Sequence, residues 1–367
     1  MRSITSVSIF DQNIVRTSPA GSCVLRIVEE LAGDTPLHLF SNRAEAPETQ
    51  LVRKTKIPLP PGPVVVRSIL FSLFSCFAYW FIGRRPAFSI STEGTFPFCD
   101  LCYAHFCHRV FLREHRDSIG GGTLRRTARI LNHAWAAFAE RIAFRSARII
   151  VAPSQGLARE LMRAYPKLVG GKIRVIPNPV DVPPLPNGRG SVSGTLRLSF
   201  CALGNFERKG LRLILDALAR IPDVDVHLTV IGGTPGEIRD YERLAAENRV
   251  RFVGFQSDVR PYLLASDAFV FPSAYEIFPL VCLQAAAAGL PLLVTRLYGV
   301  GEFMRDGETG WVVERSAESI AAAIVQAASD RQRLRAMGLE ARKQVEQYSE
   351  TEFRRRWREL LESLVVA

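Results

Sequence analysis

The sequence predicts an α/β protein made of two doubly wound, Rossmann-like parallel-sheet domains with a cleft between them. Three observations carry this. The chain has 367 residues, too many for one compact core of ordinary size. Short continuous apolar runs alternate with segments of helical period, the pattern of strands covered on both faces. A stretch rich in Pro, Gly and Ser, "NPVDVPPLPNGRGSVSG" at 178 to 194, divides the chain without periodicity of its own. The expected boundaries are 1–180 for an N-terminal acceptor-side domain, 181–195 for the linker and 196–348 for a C-terminal domain. Residues 349–367 form a last helix that crosses back to the first domain.

In the first half, "SVSIF" reads as a strand and "VLRIVEELAG" as a helix closed by Gly33. "PLHLFS", "AFSIST" and "ARIIVAPS" read as further buried strands. Residues 123 to 147 form a basic amphipathic helix with Leu124, Leu131, Trp135, Phe138 and Ile142 on one face. The second half alternates more cleanly. "LRLSFCAL" is a strand, "LRLILDALARI" a helix, "VDVHLTVIGG" a strand and "EIRDYERLAAEN" a helix with a polar face. "VRFVGF", the short helix "VRPYLLASD", and the strands "AFVFPS" and "PLLVT" complete the series. In such sheets ligands sit at the carboxyl ends of the strands.

A net charge of +11 points to an anionic partner, although an arginine excess with only six lysines also follows genome composition. The basic residues are scattered, as in Arg84-Arg85, Arg125-Arg126 and Arg354-Arg355-Arg356, with no basic and aromatic stripe, which argues against nucleic acid. The start "MRSITSVSIFDQN" has no apolar run behind a basic residue, unlike a secretory signal. The most membrane-like segment is "SILFSLFSCFAYWFI", 68 to 82, flanked by Arg67, Arg84 and Arg85. As a helix it would span roughly 22 Å against a hydrocarbon core of roughly 30 Å, which favours a buried or interfacial helix. Weak, salt-sensitive contact with an anionic membrane is the corresponding expectation. Seven widely spread cysteines fit a reducing compartment, hence a cytoplasmic protein.

The chemistry concentrates in two stretches of the second half. In "AYEIFPLVCLQAAAAGLPLLVT", 274 to 295, a lone acid, Glu276, precedes an apolar helix expected over about 279 to 288, with Pro279 at its first position and Gly289 at its end. The backbone N–H groups of Leu280 and Val281 have no helical partner and form an anion site. Gln284 lies one turn beyond Leu280 on the same face, roughly 6 Å further along. A ligand presenting hydroxyls, then diphosphate, then hydroxyls matches that order, as a nucleotide sugar does. Alternatively, Glu276 is an ordinary loop acid and Gln284 a polar filler. In "GNFERKGLRLILDAL", 204 to 218, Gly204 and Gly210 loosen a strand-to-helix turn that carries Arg208 and Lys209. Two adjacent cations there suit a diphosphate, or are plain solvated charge. The turn is neither a P-loop nor a GxGxxG fingerprint.

Together these strings, with "VGFQSDVRPYLLASDAFVFPSAYEIFPLVCLQAAAAGLP" and "GVGEFMRDGETGWVV", resemble the donor domain of retaining glycosyltransferase family 4, which has the GT-B fold. The resemblance extends more faintly to "SPAGSCVLRIVEELA", "APSQGLARELMRAYP" and "VIPNPVD", and so to nearly the whole chain. It implies a nucleoside-diphosphate-sugar donor, retention of configuration, and no metal or other cofactor. It places Arg208 and Lys209 on the diphosphate, Glu276 on the donor sugar and Gln284 on the ribose, where the family has a second glutamate. Gly204, Phe278, Leu280 and Val281 join that donor site, with Gly254 and Phe255 near the base. Gly21 and Ser22 would stand in a glycine-rich loop on the acceptor side.

"CDLCYAHFCH", 99 to 108, crowds Cys99, Cys102, His105, Cys107 and His108 into ten residues. A zinc site would need a second ligand pair from elsewhere in the chain. The resemblance implies instead that a histidine at the end of this strand faces the donor sugar, and the spacing from Asp100 favours His105 over His108. A core histidine bonded to backbone is the alternative. The acceptor is unspecified: a glycan, a lipid-linked sugar or a small molecule, in bacterial polysaccharide or glycolipid synthesis. The rival functions are a sugar-nucleotide-binding protein that has lost turnover, motivated by Gln284, and a basic nucleic-acid-binding protein, motivated by charge alone.

Overall fold

The structure, a computed structural model, describes residues 6–82, 88–119, 122–185, 194–245 and 248–366. Most of the expected linker (186–193) and the Arg84-Arg85 pair lie outside the described residues. Two units are present: Met1–Pro179 with Glu350–Ala367, and Val180–Ser349.

The first unit holds a seven-stranded sheet, parallel throughout. Its spatial order is Val52–Lys56, Leu37–Ser41, Val7–Phe10, Phe88–Thr92, Leu101–Tyr103, Ile149–Ala152 and Ile173–Val175. The central strands Val7–Phe10 and Phe88–Thr92 are buried at every position, as continuous apolar runs require when helices cover both faces. The edge strand Val52–Lys56 instead carries Arg53, Lys54 and Lys56, charges that discourage pairing with another chain. From Val7–Phe10 the chain first winds outward to Leu37–Ser41, then crosses to Phe88–Thr92 on the other side. The order therefore reverses between Val7–Phe10 and Phe88–Thr92.

The second unit is a six-stranded parallel sheet ordered Val250–Gly254, Val226–Gly232, Leu196–Ala202, Ala268–Phe271, Leu292–Val294 and Gly310–Val312. Here the order reverses between Leu196–Ala202 and Ala268–Phe271. A crevice opens outside the carboxyl ends of two strands whose connections leave in opposite directions, so these two reversals mark the ligand positions of a doubly wound sheet.

The C-terminal helix Glu350–Val366 packs on the helix Pro19–Leu31 of the first unit. Trp357, 1% exposed, lies edge-on to Tyr103 at 5.0 Å. Around it Arg354 reaches Glu29 and Glu350, Arg358 reaches Glu30 and Asp34, and Arg26 reaches Glu350. Part of the arginine excess is thus spent on helix-to-helix pairing.

One helix departs from expectation. The apolar helix runs over Val64–Ile82, 19 residues, so it spans about 28 Å and its stretch Val64–Phe81 is long and apolar enough to cross a membrane. Phe71, Ser75 and Ala78 face the core while Leu73, Phe77, Trp80 and Phe81 are exposed, and only 22% of that stretch is buried. It packs against Thr123–Ser146. In that second helix the apolar stripe does not form the core. Leu124, Leu131 and Phe138 are exposed, and Ala139, Glu140, Ala143 and Phe144 are buried instead. Small residues let the helix lie close to the turn at Gly94, where a Cβ would stand 3.2 Å from Ala139 O and from Ala143 Cβ.

Candidate functional site

In the second unit the two stretches singled out in the sequence meet at the strand reversal. Leu196–Ala202 leads into a four-residue helical turn, Phe206–Lys209, that presents Arg208 and Lys209 at its end. Asn205 and Gly210 flank the turn in the left-handed region, at φ 62° and 84°. A Cβ on Gly210 would stand 2.4 Å from Pro272 O, so only glycine lets this turn lie against the neighbouring strand exit. Phe206 anchors the turn in the core against Phe200 and Tyr241.

Ala268–Phe271 exits through Pro272 to Glu276. Ala274 donates its N–H to Arg208 O at 2.9 Å, which ties the two loops together. Arg208 Nη1 donates to Tyr275 O at 2.6 Å and to Glu276 Oε1 at 3.2 Å. Lys209 Nζ also donates to Glu276 Oε1, and Ser273 Oγ donates to the same oxygen at 2.8 Å. Thr295 Oγ1 steadies Ser273 by donating to its carbonyl at 2.6 Å. Residues expected on different parts of a ligand thus form one cluster, with two cations and a hydroxyl on one carboxylate oxygen.

The three charged side chains keep only 14–16% exposure. Burial alone would raise the Glu276 carboxyl, but Lys209 and Arg208 outweigh it and hold Glu276 below the ordinary carboxylate value, hence anionic. Burial lowers Lys209, with Glu276 opposing that shift. Lys209 Nζ also stands 5.2 Å over the ring of Phe271.

The helix beyond runs over Leu280–Ala287, and Pro279 is its cap rather than its first residue. Leu280 and Val281 open the helix, and Cys282 donates to Pro279 O. The amide of Gln284 is partly exposed and makes no hydrogen bond to protein among the described residues. Phe278 has its ring in the core against Phe303 and Tyr348, so its backbone alone can face a ligand. Gly254 closes Val250–Gly254 at φ 68°, and Phe255 after it is 57% exposed. Gly204 lies against Glu237, whose carboxylate accepts the N–H groups of Asn205 and Phe206 at 2.6 and 3.2 Å. Neither Glu237 nor Ser273 stood out in the sequence. Glu237 carries one signal, the Thr234-Pro-Gly-Glu237 capping box.

In the first unit, Gly21 and Ser22 belong to the first turn of the helix Pro19–Leu31 rather than to a loop. A Cβ on Gly21 would fall 1.7 Å from Asn13 O, so the glycine serves close helix approach. Ser22 Oγ bonds Pro19 O. His105 follows Leu101–Tyr103, lies 4.0 Å from the Tyr103 ring, and brings neither ring nitrogen to a partner in hydrogen-bond geometry. Burial lowers it to about 4, so the imidazole is neutral. His108 differs: its Nδ1 sits 2.8 Å from His133 Nδ1 and its N–H donates to Glu140. All seven cysteines are free thiols, and the described residues contain no group of three or more metal-ligating side chains.

Two family models match the chain. The one described as "Glycosyltransferase Family 4" covers residues 20–183, and "Glycosyl transferases group 1" covers 197–330. The lipopolysaccharide core biosynthesis glycosyltransferase LpsE of Rhizobium meliloti is 43% identical over 136 residues, 35% of this chain and 39% of that protein. The N-acetyl-alpha-D-glucosaminyl L-malate synthase of Bacillus anthracis is 33% identical over 149 residues, 39% of each. The chain spans about two-fifths of the length of these curated relatives. Among solved structures, sucrose-phosphate synthase from Thermosynechococcus elongatus superposes with a TM-score of 0.80 at 18% identity, covering 99% of both chains. WaaG, a glycosyltransferase of lipopolysaccharide biosynthesis, gives 0.78 at 18% identity, over 97% of this chain and 99% of that one. Anabaena HepE in complex with UDP and glucose gives 0.66 at 19%, over 98% and 100%.

Proposed function

Because the chain belongs to glycosyltransferase family 4 and has the GT-B fold, we propose that it transfers a sugar from a nucleoside-diphosphate sugar to an acceptor hydroxyl with retention of configuration. The single observation that carries this is the Arg208, Lys209, Ser273 and Glu276 cluster at the strand reversal of the second unit. Without ligand the two cations neutralise Glu276. An arriving diphosphate offers them a stronger, bidentate partner. Glu276, released from part of that pairing, then accepts hydrogen bonds from hydroxyls of the donor sugar.

As the C1–O bond to the diphosphate lengthens, negative charge grows on the leaving oxygen. Arg208, Lys209 and the N–H groups of Leu280 and Val281 stabilise it, supplying the charge a metal would otherwise bring. The acceptor hydroxyl attacks the same face, and the leaving oxygen takes its proton. His105 orients sugar or acceptor through its unpartnered nitrogens. Gln284 bonds the ribose, and the exposed ring of Phe255 stacks on the base. The HepE complexes with UDP favour uridine as that base. Donor consumption with purified protein and chelator, followed by mass spectrometry over a panel of nucleotide sugars, tests this. A transferred or hydrolysed sugar is the expected result, and no consumption of any donor contradicts it.

Gln284 favours a second reading, a binding protein of reduced turnover. Charge-assisted hydrogen bonds are worth about 1.5–3 kcal/mol against about 0.5–1.5 for neutral ones. Gln284→Glu should therefore tighten donor binding by about 1 kcal/mol, roughly fivefold. A normally folded Gln284→Glu protein that binds donor more weakly would remove Gln284 from the ribose.

We also propose peripheral contact with anionic membrane on the cytoplasmic side. The support is the exposed Leu73, Phe77, Trp80 and Phe81 beside the exposed Leu124, Leu131, Arg125, Arg126 and Arg129 of the adjoining helix. Flotation with anionic liposomes should recover the protein at low salt and lose it at high salt. No flotation at low salt would contradict this.

A further inference from the structure

The strand reversal of the first unit also carries a site. Outside the ends of Val7–Phe10 and Phe88–Thr92 lies a cavity of about 240 Å³, just below the roughly 300–1,000 Å³ of drug-sized ligand pockets. That is room for one sugar ring rather than a longer glycan. Asp11 and Gln12 enter from the first strand, Thr92 and Glu93 from the second, and Asn132 from the helix Thr123–Ser146. Ser68 and Ser72 of the apolar helix, with Asn13, Ser18, Thr95 and His108, add to the polar lining.

Glu93 occupies a turn position that glutamate rarely takes. Thr95 donates to Thr92 O at 3.0 Å, and the two residues between, Glu93 and Gly94, both have positive φ, 54° and 70°. This is the pattern of a type I′ turn, whose first position favours Asn, Asp or Gly. A glutamate held there is strained, and such strain collects at functional sites. Its carboxyl makes no hydrogen bond among the described residues.

The polar groups around it are also short of partners. Thr92 is 2% exposed, yet its Oγ1 makes no full hydrogen bond, though it lies close enough to Asp11 to favour that carboxylate. Asn132 Oδ1 is buried and unpartnered. Buried polar atoms without partners are costly, and a ligand is one way to satisfy them. The charge of the lining selects the ligand. Asp11 and Glu93 are the acids, both raised by burial, Glu93 to about 7 with Asp11 adding to the shift; His108 is held neutral by burial, and among the described residues the lining contains no arginine or lysine. A phosphate or carboxylate entering here would meet two carboxyl groups and no cation. A sugar hydroxyl would find acceptors on every side.

We propose that this cavity binds the uncharged, hydroxyl-rich end of the acceptor, a sugar ring bearing no phosphate or carboxylate, with Glu93 and Asp11 accepting its hydroxyl hydrogen bonds. This rests on the glycosyl-transfer reading and names its acceptor class. The chemistry is shared by a free sugar and by the headgroup of a glycolipid lying along the exposed apolar helix.

Saturation-transfer NMR on the full chain tests it. The probes are methyl glycosides of glucose, galactose, mannose and N-acetylglucosamine, the 6-phosphates of all four sugars, the uronates of the three hexoses, and octyl β-D-glucoside below its micelle concentration. At least one neutral methyl glycoside should bind, with its anionic counterpart at least tenfold weaker. Glu93→Gly should abolish that binding without lowering Tm, because glycine relieves the strained turn; a merely structural glutamate would lower Tm. Octyl glucoside at least tenfold tighter than methyl glucoside would identify a lipid-borne acceptor, and equal affinity a free one. Binding of the anionic sugars as well as the neutral ones, no binding by any neutral probe, or unchanged binding in Glu93→Gly would overturn the proposal. UDP binding on the same samples separates the two readings: glycoside binding without UDP binding would sink the donor assignment and leave this one standing.

Discussion

Lys209 and Arg208 each spend their charge on Glu276 before any ligand arrives, so their value to a diphosphate is the surplus over that pairing. Lys209→Met and Arg208→Ala should each weaken UDP binding by about 1.5–3 kcal/mol, roughly tenfold to a hundredfold in titration calorimetry. Unchanged affinity in both would remove the phosphate assignment. A second residue-scale consequence lies in the first unit. Burial raises Glu140 from 4.5 to about 8, against hydrogen bonds from His108 N–H and Tyr165 Oη that favour its charge. The folded chain therefore keeps a proton that the unfolded chain releases. Stability from this group is whole below about pH 4.5, erodes as pH rises, and is gone above about pH 8, at up to about 1.4 kcal/mol per pH unit. In urea titrations between pH 5 and 8, Glu140→Gln should lose less stability than the parent chain. Equal losses would show that Glu140 is already charged in the fold.

At the scale of elements, the turn Phe206–Lys209 decides where the cations stand, and Gly210 decides whether the turn can close. Gly210→Ala adds a methyl 2.4 Å from Pro272 O at a φ of 84°. Strain and overpacking of this kind cost about 1–3 kcal/mol, and the displaced turn should weaken UDP binding as well. A Gly210→Ala protein with parental Tm and UDP affinity would contradict the role given to this contact. The same region shows what the sequence could reveal. "ERKG" and "YEIFP" were legible as motifs, because cations after a strand and an acid before a helix are local patterns. Their convergence on one carboxylate oxygen was not, since it depends on two strands that are adjacent in the sheet and some 70 residues apart in the chain. Ser273 gave no signal, because a serine after a strand is common. Glu93 gave no signal either, because its positive φ and its cavity are properties of the fold. The helix Thr123–Ser146 was legible as amphipathic, but the side it buries was not: close packing chose Ala139 and Ala143.

Across the whole molecule, the alternation of apolar runs and helical periods was enough to read both sheets as parallel and doubly wound, because strands buried on both faces cannot be amphipathic. The shorter strands Ile173–Val175 and Gly310–Val312 and the charged edge Val52–Lys56 carry too little apolar pattern to be read that way. In each sheet a cluster of chemistry-bearing residues stands where the strand order reverses: cations and Glu276 in one, Asp11 and Glu93 in the other. We propose that Glu276 serves the donor sugar while the cations it neutralises serve the diphosphate. Glu276→Gln is the most direct test, assayed for donor consumption and UDP affinity on the same sample. Turnover should fall by at least a hundredfold while UDP binds as tightly as before or tighter, since two cations lose their internal partner. Full turnover in that variant, or UDP binding lost together with turnover, would contradict it.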